Sequence, residues 1–508
     1  MDNLIIKSFL PEIFFSLAIL FQLVFNAKLI NNLNFNFPII NKEIFIQTFF
    51  ILISLFVLLL NLKIEASFSN FIFINDEGSR VIKILFVLIG LSLLLPLIRS
   101  FKLQSLNFFE FFTIFLLSFL ALLLLLNSYD LISVYLIIEM QALSFYVLAC
   151  FRRNSAFSTE AGLKYFISGS FISGIFLLGC SFIYGGSGTL NFLNLSLLLS
   201  FNFTNENLII KYLILIGIIL VLISFLFKIS SAPFHFWSPD VYEGSPLSTT
   251  IIFSILPKII IFTFIIRWLS TLSFLFDSIS FIFTFSGFCS VFIGTFFAIK
   301  QKRLKRLVVF SSIAQVGFLV VSLSAHTLLG FSSLYFYLFI YIITSIALWS
   351  ILILFYTFQN TFNVFENKTL TPLFLSNISN LFSVNPIWAY AIAFIFFSMS
   401  GIPPLCGFFS KVFVLSSLVQ INENFISTLF LTVSAISTFY YLRILKIVFF
   451  ENKHIKITNK SIIVFNSYLF NLETFLIVFY LFLLLLLFFY PTNILLLSQY
   501  ILLNFYNI

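Results

Sequence analysis

Charged residues are scarce in this sequence. Asp, Glu, Lys and Arg make up 9% of its 508 residues, whereas 61% are hydrophobic. A soluble globular protein carries roughly 25% charged residues, and about half of its residues are apolar. No stretch of the chain is both long and polar enough to form a separate soluble domain. The composition therefore excludes a soluble globular protein and predicts a single membrane domain over residues 1–508.

Cysteine is also rare. The four cysteines, Cys150, Cys180, Cys289 and Cys406, are widely spaced and lie in or beside apolar runs. The sequence contains no Cys-x-x-Cys pair and no His/Cys cluster that would indicate a metal or iron–sulfur site. It also lacks a Gly-rich phosphate loop and a recognisable Ser/His/Asp motif. We therefore expect buried structural cysteines, no cofactor on this chain and no redox chemistry of its own.

The net charge of +9 does not indicate a nucleic-acid partner, because the basic residues lie between apolar runs. In that position they act as signals for membrane topology. The start of the chain, with Asp2 and only Lys7, has neither the basic and small-residue features of a signal peptide nor the Arg-rich composition of a transit peptide. Nothing in the sequence thus predicts a cleaved targeting segment.

Long apolar runs fill the chain from end to end. A helix needs about 20 apolar residues to cross a bilayer, and runs of this length predict about 14 spans. Proline and glycine interrupt two of them. Pro233 lies in the seventh span, over 208–238, and Gly401, Pro403 and Pro404 lie in the twelfth, over 386–420.

The loops after odd-numbered spans carry most of the basic residues. They include the five between Lys300 and Arg306, and also Lys453, Lys456 and Lys460. Because basic loops stay on the negative side of a membrane, these loops are predicted to face that side. An even number of spans then places both termini on the positive side.

The two interrupted spans lie five apart. Broken helices at matching positions are typical of transporters with inverted repeats. We predict a first five-helix repeat over 107–270, with helices 4–8, and a second over 271–450, with helices 9–13. Helices 1–3 would occupy 1–106, and helix 14 would lie in 451–508.

Four ionisable residues lie inside apolar spans: Glu139, Lys228, Lys258 and Lys411. Each costs at least about 2.5–3.5 kcal/mol at the centre of a bilayer, so such residues usually serve a pathway or are paired. One buried acid and three buried lysines on four spans predict a proton relay, in which water bridges the groups across the membrane.

Structural interpretations of these residues stay open. Lys228 and Lys411 would be explained equally by snorkelling or by capping the ends of broken helices. Lys258 would be explained by pairing with Glu139, and Glu139 by a purely structural ion pair. A line of hydrated contacts between the four would favour the relay.

Two histidines near span ends are candidates for sites where protons enter or leave. His235 follows Pro233, and His326 ends the tenth span. The alternatives are that His235 shapes a loop and that His326 is interfacial. Other charged residues near span ends are expected to pair or to shape loops: Glu160, Lys164, Asp240 and Glu243.

Three blocks resemble the subunit 2 family of NADH dehydrogenase, part of respiratory complex I. The fifth and sixth helices of that family are similar to the block beginning YLIIEMQALSFYVLAC, and the seventh and eighth to the block beginning FKISSAPFHFWSPDVYEGSP. The broken twelfth helix is similar to MSGIPPLCGFFSKVFVL. The likeness is strongest over about 131–269 and 386–413.

The resemblance implies an all-α fold of 14 helices with two inverted repeats, related to cation/proton antiporters. It implies a proton-pumping module in the membrane arm of complex I, in the mitochondrial inner membrane, with both termini on the intermembrane-space side. The key residues of the family match Glu139, Lys228, Lys258 and Lys411. In the subunit 4 family the last of these is a glutamate, so Lys411 favours subunit 2.

The same resemblance implies the partners and cofactors. The partners would be the antiporter-like subunit 4, small helical subunits of the membrane arm, and lipids such as cardiolipin. NADH, FMN, iron–sulfur clusters and ubiquinone would bind to other subunits. The competing hypotheses are a cation/proton antiporter subunit without a redox partner and a structural membrane scaffold, against which the four buried charges argue.

Overall fold

A computed structural model describes residues 7–32, 38–61, 66–68, 72–104, 110–201, 208–365, 374–379, 381–451 and 472–506. The predicted basic cluster Lys453, Lys456 and Lys460 lies outside these residues. Nearly all described residues are helical. In chain order, the helices are α1 (Leu10–Asn32), α2 (Pro38–Asn61), α3 (Glu77–Gln104), α4 (Glu110–Asn127), α5 (Leu131–Ala149), α6 (Ala156–Ser187), α7 (Phe192–Phe201), α8 (Leu208–Lys228), α9 (Trp237–Gly244), α10 (Leu247–Thr271), α11 (Phe276–Lys300), α12 (Leu304–Ser324), α13 (Leu328–Phe365), α14 (Leu381–Val384), α15 (Pro386–Ser400), α16 (Cys406–Gln420), α17 (Asn424–Phe449), α18 (Leu472–Phe489) and α19 (Pro491–Tyr506).

The predicted multi-span helical fold is confirmed. Within the described ranges, 12 helices are long and apolar enough to cross a membrane, and the bent pair α18 and α19 would make a thirteenth span. The shorter apolar helices α15 and α16 occupy the predicted twelfth span. With that interrupted span included, the structure accounts for the fourteen segments that the hydrophobic runs predict.

The last predicted span, 471–498, is wrong as a single straight helix. The helix α18 ends at Phe489, and α19 leaves it at an angle of 89° and continues to Tyr506. Proline has no backbone N–H and disfavours helical geometry in the residue before it, so Pro491 ends one helix and begins the next.

A short pair of strands departs from the all-α prediction. β1 (Ala66–Phe68) pairs antiparallel with β2 (Phe73–Asn75), between α2 and α3. The backbone N–H of Tyr129 donates to the carbonyl of Ile72, 2.8 Å away, which fastens this pair to the end of α4. Three-residue strands are too short to give the alternating hydrophobic pattern that predicts a strand.

The most deeply placed helices are α10 and α12, because the whole of the most apolar 18-residue window of each is buried. In α6, by contrast, only 33% of the most apolar window is buried, and large side chains such as Phe157 and Phe171 are exposed. An apolar exposed face suits contact with lipid tails or with other membrane helices. Lys258 therefore lies on a central helix, whereas α5 and α8, which carry Glu139 and Lys228, are only partly covered.

Glycine allows two helices beside the site to pack closely. A Cβ atom at Gly179 of α6 would lie 2.8 Å from the carbonyl oxygen of Gly217, and one at Gly217 of α8 would lie 2.7 Å from that of Gly179. Small residues at such crossings let the backbones of membrane helices approach each other. The crossing places α8, and with it the first broken span, directly against α6.

The two described ends of the chain meet at one end of the helix bundle. The hydroxyl of Tyr500 in α19 donates to Glu77 of α3 over 2.8 Å, and Glu12 of α1 pairs with Lys83 of α3. This arrangement agrees with the even number of spans used in the topology prediction. It does not depend on which face of the membrane that end occupies.

Candidate functional site

The first broken span ends at Lys228, the last residue of α8. Residues 229–236 are not helical, and the short helix α9 follows. The carbonyl of Leu226 accepts from the backbone N–H and the hydroxyl of Ser231, each at 3.0 Å, and the carbonyl of Phe227 accepts from Trp237 Nε1 at 3.0 Å. The predicted break near Pro233 is confirmed, but the helix ends five residues earlier, and Ser231 and Trp237 satisfy its terminal carbonyls.

The second broken span contains a tight helix end. Gly401 follows α15 with a φ of 80°, a left-handed conformation that glycine adopts without a steric penalty. Its N–H donates to the carbonyl of Ser398, and the N–H of Ile402 donates to that of Phe397, a pattern typical of helix C-termini. Pro403 and Pro404 occupy the gap, so the predicted break is confirmed.

Glu139 lies in the middle of α5 and is partly buried. Its Oε1 atom is buried and has no hydrogen-bond partner among the described residues. Glu139 and Lys228 are close enough for their charges to interact, but they form no ion pair in the described part of the chain. Lys228 is therefore a basic neighbour of Glu139, without direct contact between the two groups.

Lys258 is almost completely buried in α10, with 1% of its surface exposed. Its Nζ atom donates to the hydroxyl of Tyr341, 2.6 Å away, and that hydroxyl donates to the carbonyl of Ser254 at 2.9 Å. The alternative in which Lys258 pairs with Glu139 is wrong, because the partner of Lys258 is a tyrosine of α13. Sequence reasoning missed Tyr341, since a tyrosine inside an apolar span carries no charge to mark it.

Lys411 lies in the second turn of α16 and reaches back across the break. Its Nζ atom donates to the carbonyl of Ser400, the last residue of α15, over 2.6 Å, and lies 5.7 Å from the ring centre of Phe318. A cation near the C-terminus of a helix is favourable because the free carbonyls carry partial negative charge. The structure thus supports the interpretation in which Lys411 caps a broken helix.

The four residues lie on four different elements, α5, α8, α10 and α16, as the sequence predicts. Glu139 and Lys228 interact through their charges, Lys258 is bonded to a hydroxyl, and Lys411 is bonded to a backbone carbonyl. These are groups that can bind and release protons in a water-poor interior. Their role in proton transfer stays a prediction.

The two candidate histidines lie in different surroundings. His235 is buried in the first break, and its Nδ1 atom has no hydrogen-bond partner among the described residues. His326 follows α12, and its ring stacks on Phe276 with 4.0 Å between the ring centres. Burial lowers the pKa of His326, against a hydrogen bond to the backbone of Leu269 and the charge of Asp277. A part for either histidine in proton uptake or release stays a prediction.

Charged loops meet at the end of the bundle that holds α9. Lys164 pairs with Glu160 at 2.8 Å, as predicted, and with Asp240 at 3.1 Å. Arg306 bonds to Asp240 at 3.3 Å and lies 3.6 Å from Glu243, which also pairs with Arg303. The loops after the seventh and ninth spans therefore lie at the same end, as the topology prediction requires.

The sequence did not predict a second set of buried, paired charges. At the opposite end, Lys83 pairs with Glu12, and Arg267 pairs with Asp76 while donating to the carbonyl of Leu126. These residues stand near the ends of apolar runs, where charges are ordinarily taken as exposed topology signals. The presence of both acidic and basic residues at these span ends was the available signal for pairing.

Comparison with known proteins agrees with this architecture. Residues 128–437 match the family model described as NADH:quinone oxidoreductase/Mrp antiporter, transmembrane. The chain belongs to this family. It is 34% identical over 478 residues to a Marchantia polymorpha protein named NADH-ubiquinone oxidoreductase chain 2, an alignment that covers 92% of this chain and 94% of that one.

Solved structures show the same fold at lower identity. A chain of respiratory complex I from Thermus thermophilus, solved with bound aureothin, has a TM-score of 0.72 at 23% identity and covers 96% of this chain and 98% of its own. A chain of the Mrp complex from Dietzia sp. has a TM-score of 0.79 at 18% identity, covering 99% and 98%. The chain thus has the fold of these two chains, in agreement with its multi-span helical architecture.

Proposed function

We propose that the chain is a proton-translocating membrane-arm subunit of an NADH:ubiquinone oxidoreductase. The observation that carries this proposal is the 34% identity, over 92% of the chain, to a protein named NADH-ubiquinone oxidoreductase chain 2. The ionisable residues inside the bundle support it, because charges at that depth are retained where they serve a pathway. In this function the chain moves protons, while other subunits carry out the electron transfer.

Glu139, Lys228, Lys258 and Lys411 are the groups that we assign to the proton pathway. A proton bound by Glu139 changes the charge that Lys228 experiences, because these two residues interact electrostatically. Lys258 exchanges its proton with the Tyr341 hydroxyl to which it is bonded. Lys411, bonded to the end of α15, is the last group of the pathway on the side of the second break. His235 and His326 are the candidates for proton uptake and release.

The finer assignments belong to the same proposal. The two five-helix units, 107–270 and 271–450, are inverted repeats, and the membrane is the mitochondrial inner membrane with both termini on the intermembrane-space side. The neighbours are the antiporter-like subunit 4 and small helical subunits, with cardiolipin among the lipids. NADH, FMN, the iron–sulfur clusters and ubiquinone bind to those subunits that carry out redox chemistry.

The second candidate function is that of a cation/proton antiporter subunit without a redox partner. The similarity to a chain of the Mrp complex favours this candidate, with a TM-score of 0.79. Native electrophoresis of solubilised membranes, followed by a stain for NADH oxidation and mass spectrometry of the stained band, separates the two. Our proposal requires peptides of this chain in the NADH-oxidising band. Their presence only in a band without that activity would support the antiporter.

The proposed pathway is tested by Glu139→Gln in the assembled complex. Removing the charge of a positioned proton-transfer group should lower proton flux on the order of 100-fold. Proton flux and NADH oxidation are measured together in sealed membrane vesicles, normalised to the amount of complex. Glu160→Gln on α6 is the matched control, because Glu160 is exposed and paired with Lys164. Equal flux in the two variants and the unaltered complex would disprove the assignment of Glu139.

A further inference from the structure

Four buried tyrosines lie between Glu139 and Lys258. Tyr146 belongs to α5, Tyr165 to α6, Tyr242 to α9 and Tyr341 to α13, and each is exposed over 7% of its surface or less. Tyr146 lies near Glu139, and each tyrosine lies near the next one in this order. We call these four residues the tyrosine file.

The file begins beside Glu139. Tyr146 lies two turns after Glu139 on the same helix, and its buried hydroxyl has no hydrogen-bond partner among the described residues. The hydroxyl fits against Gly169 of α6, where a Cβ atom would approach it to 1.9 Å. Tyr146 also lines a cavity of about 430 Å³ that includes Cys150 and Arg153, at the loop after α5. The first residue of the file therefore lies beside a cavity at the loop after α5.

Trp237 holds the middle of the file together. The rings of Tyr146 and Tyr165 meet edge to face with 4.9 Å between their centres. Tyr165 stacks on Trp237 with 4.7 Å between the ring centres, and Tyr242 meets Trp237 edge to face with 5.8 Å between the ring centres. The tryptophan of the first break therefore positions two tyrosines from different helices at once.

The file ends on two neighbouring carbonyls of α10. Pro257 has no backbone N–H, so the carbonyl of Phe253, four residues earlier, lacks its usual helical partner. The hydroxyl of Tyr242 donates to that carbonyl over 3.1 Å. The hydroxyl of Tyr341 donates to the next carbonyl, that of Ser254, over 2.9 Å, and accepts a hydrogen bond from Lys258 over 2.6 Å. The proline before Lys258 thus supplies an acceptor at the point where the file reaches the lysine.

We propose that the hydroxyls of the tyrosine file, with water between them, carry protons between Glu139 and Lys258. For transfer, the O–H bonds of Tyr242 and Tyr341 turn from the carbonyls of Phe253 and Ser254 toward the next acceptor, which is water or the neutral amine of Lys258. Each phenol oxygen then accepts a proton from one neighbour as its own proton passes to the next, so no tyrosine gains a net charge. Protonated Glu139 loses one proton at the start, and the neutral amine of Lys258 gains one at the end. This inference rests on the proposed function.

Packing alone does not account for the hydroxyls. The chain contains 78 phenylalanines and 19 tyrosines, so phenylalanine is the usual aromatic residue of its interior. A phenylalanine at position 146 would keep the ring contacts and would remove a buried hydroxyl that has no partner in the described residues. A buried polar group without a partner destabilises a fold. Its presence beside Glu139 is explained by a use for the oxygen.

The test compares Tyr146→Phe, Tyr242→Phe and Tyr341→Phe in the assembled complex. Each variant keeps the ring and loses one oxygen. We expect each to lower proton flux about tenfold, less than the loss of a charged proton-transfer group, because water can take the place of the missing oxygen. Flux per NADH oxidised is measured in sealed vesicles, together with the ratio of rates in H₂O and D₂O. Tyr480→Phe is the control, since Tyr480 is buried in α18 and bonds to Ser92 away from the file.

Three outcomes overturn the inference. The first is normal flux and an unchanged isotope ratio in all three variants, and the second is an equal decline in the Tyr480→Phe control. The third is failure of the variants to assemble, because that would give the hydroxyls a structural role. Glu139→Gln, measured in the same vesicles, distinguishes failure of the tyrosine file from failure of the proposed function. If it lowers flux while the tyrosine variants do not, only the file is wrong; if it has no effect either, the proposed function of the site fails.

Discussion

The two broken spans place a lysine at the end of a half-helix in different ways. Lys228 is itself the last residue of α8, whereas Lys411 follows the second break and reaches back through space to the end of α15. At the first break, Ser231 and Trp237 occupy the terminal carbonyls, and Lys228 forms no hydrogen bond in the described part of the chain. At the second, the ammonium group of Lys411 is itself the donor to the carbonyl of Ser400.

The two lysines therefore differ in what acts on their charge: Lys228 is influenced by a nearby carboxylate, whereas Lys411 is hydrogen-bonded to the backbone. Lys228 is only partly buried, and the charge acting on it is that of Glu139. No carboxylate among the described residues has a comparable interaction with Lys411, whose neighbours are a carbonyl and the ring of Phe318. We therefore expect substitution of Lys228 to change proton movement alone, and substitution of Lys411 to change both proton movement and stability.

The largest effect is expected from Lys228→Ala. Proton flux should fall on the order of 100-fold, because a positioned proton-transfer group is lost. The amount of assembled complex should stay normal, since Lys228 donates no hydrogen bond that the fold would lose. NADH oxidation should slow if electron transfer and pumping are tightly coupled. The measurement is proton flux per NADH oxidised in membranes that carry the variant. Unchanged flux and turnover with normal assembly would make Lys228 a structural residue.

Lys411→Ala should lower flux and also destabilise the fold. The variant leaves the buried carbonyl of Ser400 without its donor, which costs about 1–3 kcal/mol. We expect a lower melting temperature of the purified complex together with lower proton flux, and Lys411→Arg should restore the stability more than the flux. A variant with normal stability would show that the carbonyl finds another donor, and the contrast between the two breaks would then be lost.

Gly407→Ala tests how closely the second break is packed. A Cβ atom at Gly407 would lie 1.6 Å from the carbonyl oxygen of Ser398, so α15 and α16 must move apart. Overpacking of this kind costs about 1–3 kcal/mol, and we expect less assembled complex in membranes. Gly174→Ala is the control, because no atom lies within 4 Å of the added Cβ there. Equal amounts of both variants would mean that the break adjusts freely.

The sequence predicted the buried charges and the breaks because both violate the apolar pattern of a membrane span. Glu139, Lys258 and the interruptions at Pro233 and Pro403 stand out in this way, and the structure has the breaks where they were expected. The bend before Pro491 was missed, although it follows from the same rule, because the apolar run continues on both sides of the proline.

The contacts of the site were harder to predict. Tyr341 accepts a hydrogen bond from Lys258 although it lies far along the chain. Trp237 donates to a carbonyl at the end of α8 from the other side of the first break. Uncharged polar residues in a membrane span do not disturb its hydropathy, so a single sequence gives no sign of which of them meet. The buried pair Arg267 and Asp76 shows the same limit, since residues 191 positions apart are joined only by the packing of helices.

The smallest effect is expected from Trp237→Phe at the first break. The variant removes the hydrogen bond from Nε1 to the carbonyl of Phe227, worth about 0.5–1.5 kcal/mol, and part of a buried ring. Trp268→Phe is the matched control, because Nε1 of Trp268 is buried and has no partner among the described residues. Both variants lose the same atoms, so the difference between their melting temperatures reports the hydrogen bond. We expect the complex with Trp237→Phe to melt at the lower temperature and to pump fewer protons, since the carbonyl of Phe227 becomes available to Lys228. Equal melting temperatures and unaltered pumping would mean that Lys228 stays unbonded whether or not Trp237 occupies the carbonyl of Phe227. The charge of Glu139 would then be the remaining explanation of why the two breaks differ.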